Sequence, residues 1–213
     1  MSSRAAPRRP SESVPASQYP APVPRDRKIL DAAARLFYER GFSGVSVDQI
    51  GERAGVTGPA IYRHFKGKED ILTSLFDEAL DGLMEATAPT GTTGRERLEE
   101  IVAQHARFVV RESELTSIWA NQSNALSPST RRRFMRRTRI YFDRWADAIR
   151  DCYPERDDET LEASTHCAIS LVNALMTWPH GLREEQADRA VELVVAMSLA
   201  AIEAPAGDHA PAS

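Results

Sequence analysis

The sequence has few cysteines and no long apolar run. Its two cysteines, Cys152 and Cys167, lie in different predicted helices and outside any C-x-x-C or Cys/His spacing, which argues against a disulfide framework and a structural zinc. No apolar run approaches the ~20 residues that span a bilayer, and the N-terminus lacks the apolar stretch of a secretory signal. We therefore expect a cytoplasmic protein without a disulfide or a bound metal.

The motifs of common enzyme classes are missing as well. There is no H-E-x-x-H, no G-x-S-x-G and no glycine-rich phosphate loop after a predicted strand. His166 and Cys167 are adjacent, but consecutive side chains on a helix diverge by about 100°, so these two cannot form a nucleophile–base pair. The sequence thus predicts neither an enzyme with catalytic residues nor a cofactor.

The charge is unevenly distributed along the chain. Residues 25–68 carry nine Lys and Arg against five Asp and Glu, whereas residues 69–213 carry fifteen against twenty-five. Residues 1–24 hold six of the thirteen prolines and three arginines, and they read as a disordered tail. These arginines are either part of a solvated leader or a source of non-specific attraction to DNA. A basic N-terminal third on an acidic remainder fits a protein whose first part alone meets phosphate.

Beyond the tail, Ala, Leu, Arg and Glu dominate, and these residues favour helices. The apolar periodicity predicts a first helix from Asp26 to Gly41 and, later in the chain, several longer helices. The expected fold is all-α, with an N-terminal domain that begins with three helices and a larger helical domain behind it. The later helices are predicted at 95–112, 114–125, 128–152, 158–178 and 184–203, and the expected domains are 25–70 and 71–204, followed by a frayed tail at 205–213.

Two short helices are predicted between the first helix and a long fourth one. Ser46 and Gln49 have the spacing of a capping box, in which each side chain bonds the other residue's backbone amide. Gly55 ends this second helix, and Thr57 is placed to cap a third helix over residues 58–65. Short helices joined by a glycine-containing turn and packed on a longer helix form a helix-turn-helix.

The segment from Gly41 to Lys68 resembles the DNA-binding signature of the TetR family of transcriptional regulators. The most specific part is Ile61-Tyr-Arg-His-Phe65, followed by Lys66-Gly-Lys68. The resemblance implies that the third helix enters the major groove of DNA. It also implies that Tyr62, His64 and Lys68, which opens the fourth helix, contact the sugar–phosphate backbone.

The residue pattern supports the same surface independently. Ile61 and Phe65 are four apart and share an inward face, while Tyr62 and Arg63 project outward. Arg63 either pairs with a guanine or holds a phosphate, and the first turn of the helix offers few hydrogen-bond donors for reading bases. Asp48 is a further candidate for base reading. The expected DNA-binding residues are Ser46, Val47, Gln49, Thr57, Gly58, Pro59, Ala60, Tyr62, Arg63, His64 and Lys68.

The C-terminal helices carry aromatic and polar residues at helical spacing. Such a stripe is usually core, but it also fits a cavity for a small effector, which the TetR resemblance implies. The candidate ligand-binding residues are His105, Phe108, Trp119, Tyr141, Trp145 and Asn173.

Six arginines fall within the nine residues Arg131–Arg139. The simpler interpretation is a solvated helix face, with Phe134 and Met135 turned inward and Asp143 as an ion-pair partner. The alternative is a site for an anionic effector such as an acyl-coenzyme A.

The resemblance implies a homodimer that binds a pseudo-palindromic operator as a repressor and leaves it when a small apolar or amphipathic effector binds. In the alternative hypothesis, the helical domain only dimerises or binds a protein partner. The dimer is expected to form through the helices at 158–178 and 184–203, as a four-helix bundle packed through small or branched residues. Those residues are Ala163, Ala168, Leu171, Ala174, Val191, Val194, Val195, Ser198 and Ala201.

Overall fold

The computed structural model describes residues 25–177 and 184–204, and every regular element in this part of the chain is a helix. The all-α prediction is therefore confirmed. The predicted tails at 1–24 and 205–213 lie outside the described residues. The α-helices are α1 Arg25–Arg40, α2 Val47–Ala54, α3 Gly58–Ile61, α4 Lys68–Ala86, α5 Gly94–Arg111, α6 Ser113–Gln122, α7 Pro128–Cys152, α8 Asp158–Asn173 and α9 Glu184–Glu203.

Local signals set the ends of the first helices. The Ser46 hydroxyl accepts from the Gln49 amide at 3.2 Å, and the Gln49 side chain accepts from the Ser46 amide at 2.9 Å, which confirms the capping box. Gly41 and Gly55 have φ of 72° and 67°, the left-handed conformation that glycine adopts at little cost. These two glycines end α1 and α2.

The third helix is shorter than predicted. It ends at Ile61, and the amides of His64 and Phe65 both donate to the Ile61 carbonyl at 2.9 Å in a closing turn. The prediction that Thr57 caps this helix with its side chain is wrong. Pro59 has no amide hydrogen, and the Ala60 amide donates to the Thr57 carbonyl at 2.9 Å, so both usual donors to a cap side chain are missing.

Two helices connect the N-terminal part to the remainder of the chain. The helix α4 packs on α1 and also contacts α5, α6 and α7. The helix α6 packs on both α1 and α4. Behind them, α5 lies against α7, α8 and α9, and α8 packs along α9. The arrangement places α4 and α6 between the helix-turn-helix and the C-terminal helices.

The arginine-rich start of α7 faces α4. Arg133 and Arg137 both form salt bridges with Asp77, and Arg137 reaches a second carboxylate on the same helix. Among the described residues, the predicted partner Asp143 forms no salt bridge, and the acidic partners of Arg133 and Arg137 lie on α4 instead. Phe134 is buried as predicted, but Met135 is 53% exposed, since the next residue on a helix is rotated away by about 100°.

The burial pattern of α8 and α9 corrects the expected dimer residues. Ala168 and Ser198 are fully buried within the chain itself, so they are not available to a second copy, and Val191 and Val194 are only 9% and 7% exposed. Their positions are taken up by packing between α8, α9 and α5. The exposed faces of these helices instead include Leu193 at 55% and Met197 at 48%, together with Ala163, Cys167, Ser170, Ala196 and Ala200.

Among the described residues, none of the helices combines the length and the apolar character that a membrane span requires.

Candidate nucleic-acid interface and ligand cavity

The helix-turn-helix depends on a close approach at Gly51. A Cβ added at this residue would lie 2.9 Å from the carbonyl oxygen of Val56 and 3.4 Å from the Ile61 side chain. Any larger residue would therefore push α2 away from the turn and from α3. Ile61 and Phe65 are buried beneath α3, as the spacing predicted, and they fix its orientation on α1 and α4.

The outer surface of α3 and its closing turn is polar and accessible. Tyr62 is 60% exposed, and Arg63 and His64 are exposed beside it. Thr57 and Pro59 are exposed at the start of the helix, and Gly58 is half-buried. The structure thus brings the predicted phosphate-contacting residues of this turn together on one accessible surface.

Some residues predicted to bind DNA are used within the protein. Ala60 is buried, so its methyl group faces the motif's core and is unavailable to a base edge. In the capping box, the Ser46 hydroxyl and the Gln49 amide oxygen each accept one hydrogen bond, so the Ser46 O–H and the Gln49 amide nitrogen remain as donors for an outside contact. Val47 is half-buried at the start of α2.

Lys68 holds the loop that joins α1 and α2. Its ammonium group donates to the carbonyl oxygens of Phe42 at 2.9 Å and Val45 at 3.0 Å, and it lies 4.5 Å from the centroid of the Phe42 ring. Since an ammonium has three N–H donors, one remains for a phosphate. The structure therefore gives Lys68 a positioning role that the sequence did not predict.

Residues of α4, α5, α6, α7 and α8 line a partly open cavity of about 90 Å³. Of the six predicted ligand-binding residues, five line it: His105, Phe108, Trp119, Tyr141 and Asn173. The sixth, Trp145, does not. It is fully buried behind His105, with ring centroids 5.8 Å apart, so the stripe of residues identified its helix face but not its depth.

Sequence reasoning missed part of the cavity wall. Phe76 comes from α4, and its ring stands edge-on to Trp119 with centroids 4.9 Å apart. On α7, Phe134, Thr138 and Phe142 join Tyr141 around the cavity. Their spacing of four, seven and eight residues is that of a wide apolar helix face, and this signal was available in the sequence.

Three polar groups in the cavity wall have no hydrogen-bond partner within the described residues, although all three are buried. These are Nδ1 of His105, the hydroxyl of Tyr141 and the amide oxygen of Asn173. Burial lowers the pKa of His105 to about 3, so its imidazole is neutral at physiological pH. Burial also raises the pKa of Tyr141, against smaller opposing effects of Trp145, Thr87 and Arg144.

Two hydrogen-bonded links connect the cavity helices to the helix-turn-helix. The side chain of Glu69, next to Lys68 on α4, accepts from the Ser127 amide at 2.9 Å and from the Thr130 hydroxyl at 3.1 Å. Donors on Ser127 and Thr130 lower the pKa of Glu69. On the other side, Gln122 at the end of α6 accepts from the Phe42 amide at 3.2 Å.

Two protein-family models match the chain. The one described as bacterial regulatory proteins of the tetR family matches residues 29–75, which contain the helix-turn-helix. The other, described as the tetracyclin repressor-like C-terminal domain, matches residues 91–198, which contain most of the cavity wall.

Known regulators are similar to this chain over different lengths. The HTH-type transcriptional activator FasR of Mycolicibacterium smegmatis is 28% identical over 177 residues, which are 80% of each protein. The fatty acid metabolism regulator protein of Bacillus subtilis is 34% identical over 107 residues, and this match spans 47% of the chain and 55% of that protein.

The fold also matches that of AibR, solved in complex with isovaleryl coenzyme A and operator DNA. The TM-score is 0.70 at 22% identity, over 82% of this chain and 97% of AibR. The family models cover both the helix-turn-helix and the cavity helices, and the relatives are transcriptional regulators rather than enzymes. The chain belongs to the TetR family of transcriptional regulators.

Proposed function

We propose that this protein is a repressor that binds a pseudo-palindromic operator as a homodimer and is released by a small apolar or amphipathic effector. The observation that carries the DNA-binding part is the accessible cluster of Tyr62, Arg63 and His64 on a helix-turn-helix whose core is closely packed. With one such helix per subunit, the half-site centres should lie about 34–36 Å apart or somewhat more.

The exposed faces of α8 and α9 support dimerisation. Leu193 and Met197 lie four residues apart on α9, so they occupy one exposed stripe. The small residues exposed beside them on both helices allow the close approach of a second pair of helices. Sedimentation at micromolar concentration tests the dimer. A Leu193→Arg and Met197→Arg double variant should be monomeric, whereas a monomeric wild-type protein would contradict the proposal.

The cavity supports control by a small molecule, since it is lined largely by aromatic and aliphatic side chains. Its wall includes residues of α4 and α6, the two helices that also contact α1. The Bacillus fatty acid metabolism regulator and AibR, which was solved with isovaleryl coenzyme A, make lipid-derived and acyl-coenzyme A effectors the first candidates. Two of the arginines at the start of α7 are engaged with α4, which weakens the alternative in which this run binds an anionic effector.

Fluorescence anisotropy on an operator fragment tests the DNA contacts. Tyr62→Ala should weaken binding to all sequences alike and flatten its dependence on salt, because a phosphate contact carries no sequence information. Arg63→Ala should relax the preference at one base pair if Arg63 reads guanine, and should weaken all sequences equally if it holds a phosphate. Tyr38, which is similarly exposed on α1, supplies the control variant Tyr38→Ala. Operator binding that is unchanged in both Tyr62→Ala and Arg63→Ala would refute the interface.

The alternative function is a DNA-binding protein whose helical domain only dimerises or binds a protein partner. The unpaired polar groups in the cavity favour ligand control over this alternative. Titrating the protein–operator complex with candidate effectors separates the two. A ligand that binds the cavity without changing operator affinity would contradict ligand-controlled repression and leave the DNA-binding function intact.

A further inference from the structure

The wall of the cavity contains no Lys, Arg, Asp or Glu among the described residues. Arg144 lies on the same helix as Tyr141, but its guanidinium is already bound to the Met84 carbonyl at 2.6 Å and to the Thr87 hydroxyl at 3.2 Å. The remaining titratable groups of the wall, His105 and Tyr141, are uncharged at neutral pH because burial disfavours their charged forms. A ligand entering this cavity therefore meets no compensating charge.

The two threonine hydroxyls of the wall are already used by the backbone. Thr116 donates to the Glu112 carbonyl at 3.1 Å, and Thr138 donates to the Phe134 carbonyl at 3.1 Å. His105, Tyr141 and Asn173 differ from them, because each has a buried polar atom without a partner. Leaving such atoms unpaired costs free energy, and a ligand group that pairs with them recovers it.

The uncharged wall and its unpaired buried polar atoms together favour some classes of ligand over others. A carboxylate or phosphate taken into the cavity would lose its hydration without gaining a cation, which is strongly unfavourable. A hydroxyl or carbonyl loses much less on leaving water. A neutral imidazole and an amide can each donate to either group, and each can also accept from a hydroxyl.

We infer that the cavity binds a neutral, largely apolar molecule carrying one hydroxyl or carbonyl group, to which His105 and Asn173 form hydrogen bonds. The inference rests on the proposed ligand control and specifies the effector's chemistry. An acyl thioester satisfies it if its carbonyl enters the cavity while its phosphates stay outside. A free carboxylate does not.

The test uses hexanol, hexanoate and hexane as probes on the full-length dimer near neutral pH. Dissociation constants come from tryptophan fluorescence, to which Trp119 in the cavity wall contributes, with ligand-detected NMR as a second readout. Hexanol should bind at least tenfold more tightly than hexanoate. A parallel titration with hexanoyl-coenzyme A shows whether a thioester carbonyl, rather than a free alcohol, supplies the neutral polar group.

Variants test the two hydrogen-bonding residues. Asn173→Leu and His105→Leu should each lower the preference for hexanol over hexane about tenfold, which corresponds to the loss of one hydrogen bond. Met176→Leu, a substitution of similar volume in the same wall, is the matched control and should leave that preference unchanged. Asn173 is only half-buried, so its variant remains informative if the His105 variant folds poorly.

The inference is overturned if hexanoate binds as tightly as hexanol, if neither variant changes the hexanol-to-hexane preference, or if none of the probes binds. Operator affinity, measured in parallel, separates this inference from the proposed function. Release of operator by hexanoate would leave ligand control standing and refute the neutral-ligand inference. Tight hexanol binding with unchanged operator affinity would support the neutral-ligand inference and refute ligand-controlled repression.

Discussion

The helix-turn-helix and the cavity region satisfy their buried polar groups to different degrees. In the helix-turn-helix, the capping box occupies amides at the start of α2, and the Lys68 ammonium occupies two carbonyls of the loop between α1 and α2. The buried side-chain atoms without a partner in the described residues all lie in the C-terminal helices: His105 Nδ1, Tyr141 Oη, Trp145 Nε1, Asn173 Oδ1 and Ser198 Oγ. The DNA-binding part is therefore complete without a ligand, whereas the C-terminal interior has hydrogen bonds left to form.

The largest expected effect is a loss of stability when the aromatic packing of the cavity region is removed. Trp145 is fully buried, so Trp145→Ala should lower the free energy of unfolding by about 3–5 kcal/mol through lost burial and the space left behind. Urea unfolding measures this. Tyr62→Ala on the DNA-binding surface is the comparison variant and should change stability by less than about 0.5 kcal/mol. An equally stable Trp145 variant would mean that this region repacks freely.

A somewhat smaller effect is expected at the tightest point of the helix-turn-helix. Gly51→Ala should lower the free energy of unfolding by up to about 3 kcal/mol, because the new methyl group meets a backbone carbonyl that cannot move aside. Gly55→Ala is the matched control: it has open space around its Cβ position, so it should cost only about 1–2 kcal/mol from its positive φ. Thermal unfolding and operator binding of the two variants should separate a steric clash from backbone strain. Equal losses would exclude the clash.

The third prediction concerns acid. His105 has a pKa of about 3 in the folded protein, so below the unfolded value of about 6.5 the unfolded chain binds a proton that the folded chain does not. Stability should be unaffected above pH ~7 and should fall as the pH drops from about 6.5 towards 3. Between pH 7 and pH 5 the loss is about 2 kcal/mol.

His105→Gln should remove this part of the pH dependence, while His166→Gln, at an exposed histidine, should leave it unchanged. The measurement is urea unfolding at both pH values for the three proteins. Carboxylates with lowered pKa values, such as Glu69 and Asp157, add their own loss in more acid solution, which is why the comparison stops at pH 5. If the His105→Gln protein loses as much stability between pH 7 and pH 5 as the wild-type protein does, groups other than His105 cause the pH dependence.

The same contrast explains what the sequence could predict. The capping box, the ends of α7 and the inward pair Ile61 and Phe65 depend on residues close together in the chain, and each was predicted correctly. Periodicity identified the face of α7 but not how deeply Trp145 lies within it, because depth depends on the helices packed outside.

Long-range contacts account for the other differences. Small residues on α8 and α9 suit contact with any helix, so their type did not show that Ala168 and Ser198 pack within the chain rather than against a partner. The links from Gln122 to Phe42 and from Glu69 to Ser127 join residues 80 and 58 positions apart, beyond the reach of any local pattern.

The smallest expected effect concerns those two links, which join the two regions being compared. A ligand that shifts Phe76 or Trp119 in the cavity wall moves α4 or α6, and each of these helices ends in a hydrogen bond across to the other region. Coupling carried by such contacts is typically about 0.5–2 kcal/mol, so Glu69→Ala and Gln122→Ala should each weaken ligand-induced operator release about fivefold and leave ligand-free operator affinity nearly unchanged.

Glu85→Ala and Gln104→Ala, exposed residues of α4 and α5, are the matched controls. A ligand-free readout is independent of the effector: hydrogen exchange at the Phe42 amide should accelerate in Gln122→Ala, since that amide loses its acceptor.

Spatial position alone does not establish coupling, so the Glu69→Ala and Gln122→Ala double variant decides which route carries it. If α4 and α6 act as separate connections, the two losses should add. If the helices shift as one body, removing the second link should cost little more than removing the first. Full operator release in the double variant would show that both hydrogen bonds only hold the two regions together and transmit nothing.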